Sequence, residues 1–184
     1  AAVMKVAYSD ASFSTEASGT LPLLTPAQTS SPPQVSWEAK EDTYYTLVMT
    51  DPDAPARKEP SFREFVHWVV CDIPGSDVSR GSTVLEYCGP APPHSSGKHR
   101  YVFLVYEQGD KGDVDLTAAQ EVFSGRGGLA SHEWAEREDL ESPVAAAAFE
   151  AEWDDTCDAA HIALDFMPPP QYQSPAQKAS NTTE

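Results

Sequence analysis

Apolar residues alternate with polar or small ones along Met4-Lys5-Val6-Ala7-Tyr8, the period of a strand with one buried face. The run Tyr44-Tyr45-Thr46-Leu47-Val48-Met49-Thr50 is aromatic and β-branched, and predicts a second strand. It stops at Asp51-Pro52-Asp53-Ala54-Pro55, where each proline withholds the N–H that a ladder needs. Phe65 to Cys71 and Tyr101 to Glu107 are nearly continuous apolar runs of strand length, which predicts central strands covered on both faces, with His67 interrupting the first. Ser9 to Pro33, with Gly19 and four prolines, reads as an irregular loop region. Leu129 to Leu140 sets Leu129, Trp134 and Leu140 among acidic residues and predicts a short surface helix with Ser131 as its N-cap.

Val144 to Asp154 holds two conflicting signals. Four successive alanines favour helix, but Phe149 to Asp154 alternates with period two, and alternation reports which face is buried, so a strand is expected. Asp154 or Asp155 then caps a helix running to about Phe166. Met167 to Glu184 has four prolines, one aromatic residue and little charge, which predicts an extended polyproline tail with no core of its own. The expected organisation is a domain at 1–166 and a proline-rich tail at 167–184 that a protein partner orders.

Composition narrows the class. In 184 residues, 16 prolines and 10 glycines argue against a helical bundle and suit a mostly β fold with a few flanking helices. Twelve Lys and Arg against 29 Asp and Glu give a net charge of -17, which disfavours direct nucleic-acid binding and anionic membranes. Glu133 to Asp158 carries ten acids against Arg137 alone, a solvated face or a dock for a basic protein. No apolar run reaches 18 residues, so no transmembrane segment is expected. Cys71, Cys88 and Cys157 are odd in number and lack C-x-x-C spacing, which favours buried thiols in a reducing compartment, cytoplasmic or organellar. The start Ala1-Ala2-Val3 is compatible with a removed targeting peptide.

Three polar clusters fall at the ends of the predicted central strands: Asp51 to Pro55, His67 with its neighbours, and Cys88 through Pro92-Pro93 to Gly97-Lys98-His99-Arg100-Tyr101. They could converge on one mouth of the sheet. Proline and glycine fix the connecting loop and expose backbone N–H groups, which builds an anion-binding concavity without much positive charge. Asp51 can hold an imidazole in one tautomer and favour its protonated form, which then faces the anion. Ser95 and Ser96 lie in no G-x-S-x-G elbow, and Gly97-Lys98 lacks the remaining phosphate-loop residues, so no catalytic residue is expected. His67, His94, His99 and Cys88 show no zinc-ligand spacing, and neither metal nor cofactor is expected.

The segments Tyr45 to Pro55, Arg63-Glu64 with His67-Trp68, and Pro92-Pro93 to Tyr106 together resemble the phosphatidylethanolamine-binding proteins, the family that includes the Raf kinase inhibitor protein. That resemblance implies a β-sandwich with a small anion pocket at its strand ends, formed by Asp51, His67, Gly89, His99 and Tyr101. It implies phosphate, acetate or a phosphorylated headgroup as ligand, and cis bonds at Ala54–Pro55 and Arg63–Glu64. Ala91 stands where many members have a second glycine, and its methyl would narrow the mouth or displace a donor. His161 stands where animal members place a tyrosine, which would add a cation or leave the pocket uncovered. The expected function is a non-enzymatic module that binds a small phosphorylated or carboxylate ligand and regulates or scaffolds a protein partner, such as a kinase or protease. The alternative is an accessory structural subunit of a large, organellar complex, docked through the acidic face and the tail.

Overall fold

The computed structural model describes residues 3–15 and 19–181. Its strands are β1 (Met4–Ala7), β2 (Ser12–Ser14), β3 (Gln34–Trp37), β4 (Tyr44–Asp51), β5 (Phe65–Pro74), β6 (Ser82–Leu85), β7 (His99–Gly109) and β8 (Ala145–Ala151). Its helices are α1 (Leu116–Phe123), α2 (Ser131–Arg137), α3 (Thr156–Ala163) and α4 (Pro175–Ser180). Short 3₁₀ turns occur at Val78–Arg80 and Pro170–Tyr172. The strands form two antiparallel sheets, one ordered β2-β1-β3 and the other β6-β5-β4-β7-β8.

Strand β4 lies in the middle of the larger sheet because both of its faces are apolar. Tyr45, Leu47 and Met49 point into a core shared with Met4, Val6, Val35 and Trp37 of the small sheet, and Val48 points into a second core closed by Phe123, Trp134 and Leu140. In β8, Ala145, Ala147, Phe149 and Ala151 are buried in alternation, so period two outweighs alanine's helix propensity there. Phe149 anchors that face: Tyr101 stacks on it at 5.3 Å and Phe13 packs at 5.6 Å. This is the mostly β architecture with flanking helices that the sequence predicts.

Several expectations need correcting. The region from Ser9 to Pro33 is not all loop, because Ser12–Ser14 pairs with β1 as β2, while 16–18 lie outside the described residues. Ser131 does not cap α2. It is the helix's first residue, after Ala130, and its hydroxyl and N–H both donate to the Glu64 carboxylate. Helix α3 ends at Ala163 rather than Phe166, as Asp165 turns into the left-handed region at φ 50°. Of its two candidate caps, the Asp154 carboxylate accepts from Thr156 N at 3.0 Å, while Asp155 makes no side-chain cap bond.

Residues 167–181 do not form an extended tail, and 182–184 lie outside the described residues. Pro169 keeps a polyproline backbone, but Pro170–Tyr172 turns and Pro175–Ser180 is helical. Helix α4 starts with a capping box: Ser174 Oγ accepts from Gln177 N and Gln177 Oε1 accepts from Ser174 N, with Pro175 at the first helical position. Ser174 is 1% and Gln177 6% exposed. Both are held against α3, where the Ser174 hydroxyl donates to Asp158 at 2.5 Å.

Candidate functional site

At the end of the large sheet, β4, β5 and β7 deliver Asp51, Phe65, His67, His99 and Tyr101 to one small cavity. Gly89 and Ala91 enter from the loop before β7, and His161, Leu164 and Phe166 close it from α3 and the turn after it. All seven residues expected at the site therefore line the same space, with Phe62, Ala54 and Pro55 as apolar wall. The cavity measures about 30 Å³, roughly two water-sized spheres at ~10–15 Å³ each. The bonds Ala54–Pro55 and Arg63–Glu64, on the loop forming that wall, are both cis.

The polar floor is organised in layers. Asp51 Oδ2 accepts from His99 Nδ1 at 2.8 Å, and Oδ1 accepts from Asp53 N at 2.7 Å. Ser96 Oγ lies 2.9 Å from His99 Nε2 and donates to Pro93 O at 2.6 Å. A hydroxyl has one proton, so Ser96 cannot donate to Pro93 O and to His99 Nε2 at once. Either way both nitrogens are engaged. His99 lines the cavity as part of its wall, held there by Asp51 and Ser96.

The other histidine is arranged differently. His67 Nδ1 donates to Cys88 O at 2.8 Å and approaches Cys88 Sγ at 3.3 Å, which leaves Nε2 for the cavity. Burial alone would lower its pKa, but Cys88 and Asp51 together raise it and favour imidazolium. Tyr101 is edge-on to His67 at 5.2 Å, and burial pushes its phenol far above the ordinary value, so it remains a neutral donor. Gly89 is required by close approach: a Cβ there would lie 2.9 Å from Thr29 O and 3.1 Å from Ser30 Cα.

His161 covers the pocket without adding a charge. Its Nε2–H donates to Ala91 O at 2.8 Å, and its Nδ1 accepts from Gln177 Nε2 at 2.9 Å. That pair of bonds requires the neutral ring, and burial lowers its pKa in agreement, against a smaller raising effect from Ala91 O. Of the two readings of this position, added cation or uncovered pocket, neither holds. His94 is bonded to Ser95 and packed edge-on to Trp153, apart from the residues that line the cavity.

Sequence reasoning weighed Ser96 only as a nucleophile or turn residue and missed Gln177 and Arg126, whose guanidinium donates to Val66 O, His67 O and Glu86 O and ties the strand carrying His67 to the loop carrying Cys88. Ser96 and Arg126 lie in loops with no periodic signal, but the spacing Ser174-Pro175-x-Gln177 was a readable cap.

Known proteins share this fold. Residues 11–150 match the family model described as Phosphatidylethanolamine-binding protein. The Drosophila melanogaster protein named Putative odorant-binding protein A5 is 36% identical over 132 residues, 71% of this chain. The chain spans 63% of that relative's length, under two thirds. A carboxypeptidase Y inhibitor, solved in complex with its cognate proteinase, is 30% identical, with a TM-score of 0.66 over 82% of this chain and 83% of its own. The phosphatidylethanolamine-binding protein of Plasmodium vivax, at 23% identity and a TM-score of 0.58 over 83% of this chain and 86% of its own, shows the same fold.

Proposed function

Because the chain belongs to the phosphatidylethanolamine-binding protein family, we propose that it is a non-enzymatic module whose pocket takes a small phosphate or carboxylate group and whose rim serves a protein partner. The observation that carries this reading is the meeting of a cation-favouring His67 and a neutral phenol, Tyr101, at the floor of a small cavity with apolar walls. His67 Nε2–H and the Tyr101 hydroxyl are donors suited to an oxyanion, and Phe62, Phe65 and Phe166 exclude water around it. The side chains that hold the floor are committed to each other, and among the described residues lining the cavity there is no serine, threonine, cysteine or lysine, which favours binding over turnover.

A protein partner is supported by the carboxypeptidase Y inhibitor, which forms a complex with a proteinase on a similar fold. Calorimetry with acetate and with inorganic phosphate tests the ligand side. The parent should bind, and His67→Gln should bind at least roughly tenfold more weakly, the ~1.4 kcal/mol or more expected of a charge-assisted donor. Acetate affinity should also fall as pH rises through the raised His67 pKa, because the imidazolium is lost. Equal heats for parent and variant would overturn the assignment.

A further inference from the structure

Cys88 sits between the His67 ring and the Arg126 guanidinium: Arg126 Nη1 donates to Sγ at 3.2 Å, and His67 Nδ1, whose proton goes to Cys88 O, lies 3.3 Å from it. The guanidinium cannot swing away easily, since Nη1 also bonds Val66 O and His67 O, and Nη2 bonds Glu86 O at 2.8 Å. His67 is fixed as well, by its 2.8 Å bond to Cys88 O. A guanidinium donating to the sulfur and an imidazole 3.3 Å from it both favour the thiolate over the thiol.

We propose that Cys88 is a reactive thiolate and a covalent-modification site for small oxidants of the hydroperoxide class, built by His67 and Arg126 against the wall of the anion pocket. A sulfur lone pair attacks the terminal peroxide oxygen, the S–O bond forms and the O–O bond breaks. The departing oxygen keeps the bonding pair, takes one proton from solvent and leaves as water or an alcohol. Sulfur is oxidised by two electrons to the sulfenic acid, and the peroxide is reduced by two. The residue is buried, at 9% exposed, so a reagent of hydrogen peroxide's size is favoured over bulky disulfides. Since His67 lines the pocket, modification at Sγ reaches the binding site from behind.

The other two cysteines mark the contrast. Burial pushes Cys71 and Cys157 up to about 12. Burial would raise Cys88 too, but His67 and Arg126 outweigh it and the net direction is down. The other titratable groups facing the pair are Asp51, already bonded to His99 and Asp53 N, and the phenols of Tyr87 and Tyr101, kept neutral by burial.

The intact chain is treated at pH 6 to 9 with limiting iodoacetamide and, separately, with hydrogen peroxide plus a sulfenic-acid trap, and each cysteine is read by peptide mass spectrometry. Cys88 should be modified at least roughly tenfold faster than Cys71 or Cys157 at pH 7, with a rate midpoint below the ordinary thiol value of about 8.5. Arg126→Gln and His67→Gln should each slow it and move the midpoint up. If either variant fails to fold, the comparison among the three cysteines of the parent decides. Cys88 reacting no faster than the others, or only above the ordinary thiol range, would overturn the proposal, and neither result depends on whether the pocket binds an anion.

Discussion

Asp53 is the residue on which the pocket floor rests, although it does not line the cavity. Its buried carboxylate accepts from Arg100 N, Nε and Nη2 at 2.9, 3.0 and 2.8 Å and from Arg57 Nε at 3.2 Å, while its own N–H orients Asp51. Burial works to raise its pKa, but the Arg100 bonds dominate and hold it at about 2, against an ordinary 3.8. At ~1.4 kcal/mol per pKa unit the difference is worth roughly 2 kcal/mol. The sign follows from linkage: the folded value is depressed, so this stability is present above about 3.8 and is lost as pH falls towards 2. Asp53→Asn should lower stability by roughly 2–3 kcal/mol at pH 7, because two guanidinium groups lose their anion while Arg100 stays partly solvated. A urea titration showing an unchanged midpoint would refute it. At this scale the sequence was partly legible. Strand ends and the family motif located Asp51, His67, His99 and Tyr101, but only distances reveal that His99 is wall and His67 is the available donor.

The lid over the pocket is made of two elements that clasp each other. Helix α3 supplies His161 and Asp158, and α4 supplies Gln177 and Ser174, joined by bonds of 2.9 Å and 2.5 Å. The Gln177 amide cannot flip to suit a protonated His161, because its Oε1 already accepts Ser174 N in the capping box. Ending the chain after Phe166 should therefore lower the melting temperature by several degrees, since a buried imidazole nitrogen loses its donor at a cost of about 1–3 kcal/mol. Equal melting temperatures by calorimetry would mean that α4 adds nothing to the domain. Composition suggested the opposite, a polyproline tail outside the domain that a partner orders, because proline counting does not see that Pro175 occupies the one helical position that tolerates it. Strands β3 and β6 and helix α1 were missed for a related reason: at four, four and eight residues they carry too little periodicity to stand out, although the Asp115 side chain caps α1 at 3.0 and 3.1 Å. The long central strands and β8 were legible because burial dictates their pattern directly.

For the whole molecule, the titrating groups partition the pH axis. His161 has a folded pKa below its ordinary 6.5, so the stability it contributes is present above 6.5 and lost as pH falls, and Asp53 extends the loss at lower pH. On the alkaline side His67 is raised above 6.5, which alone would remove stability as pH rises through its folded value, and Cys88 is lowered below 9.0, which alone would add stability as pH rises towards 9.0. The two oppose each other, so the acid side is where the sign is fixed: melting temperature should decline as pH falls below 6.5, where His161 Nδ1 would gain a proton facing the Gln177 amide. Calorimetric scans in steps of half a pH unit from 7 down to 5 check it. A curve that stays flat below 6.5 would mean that His161 is not held neutral by its contacts with Ala91 O and Gln177.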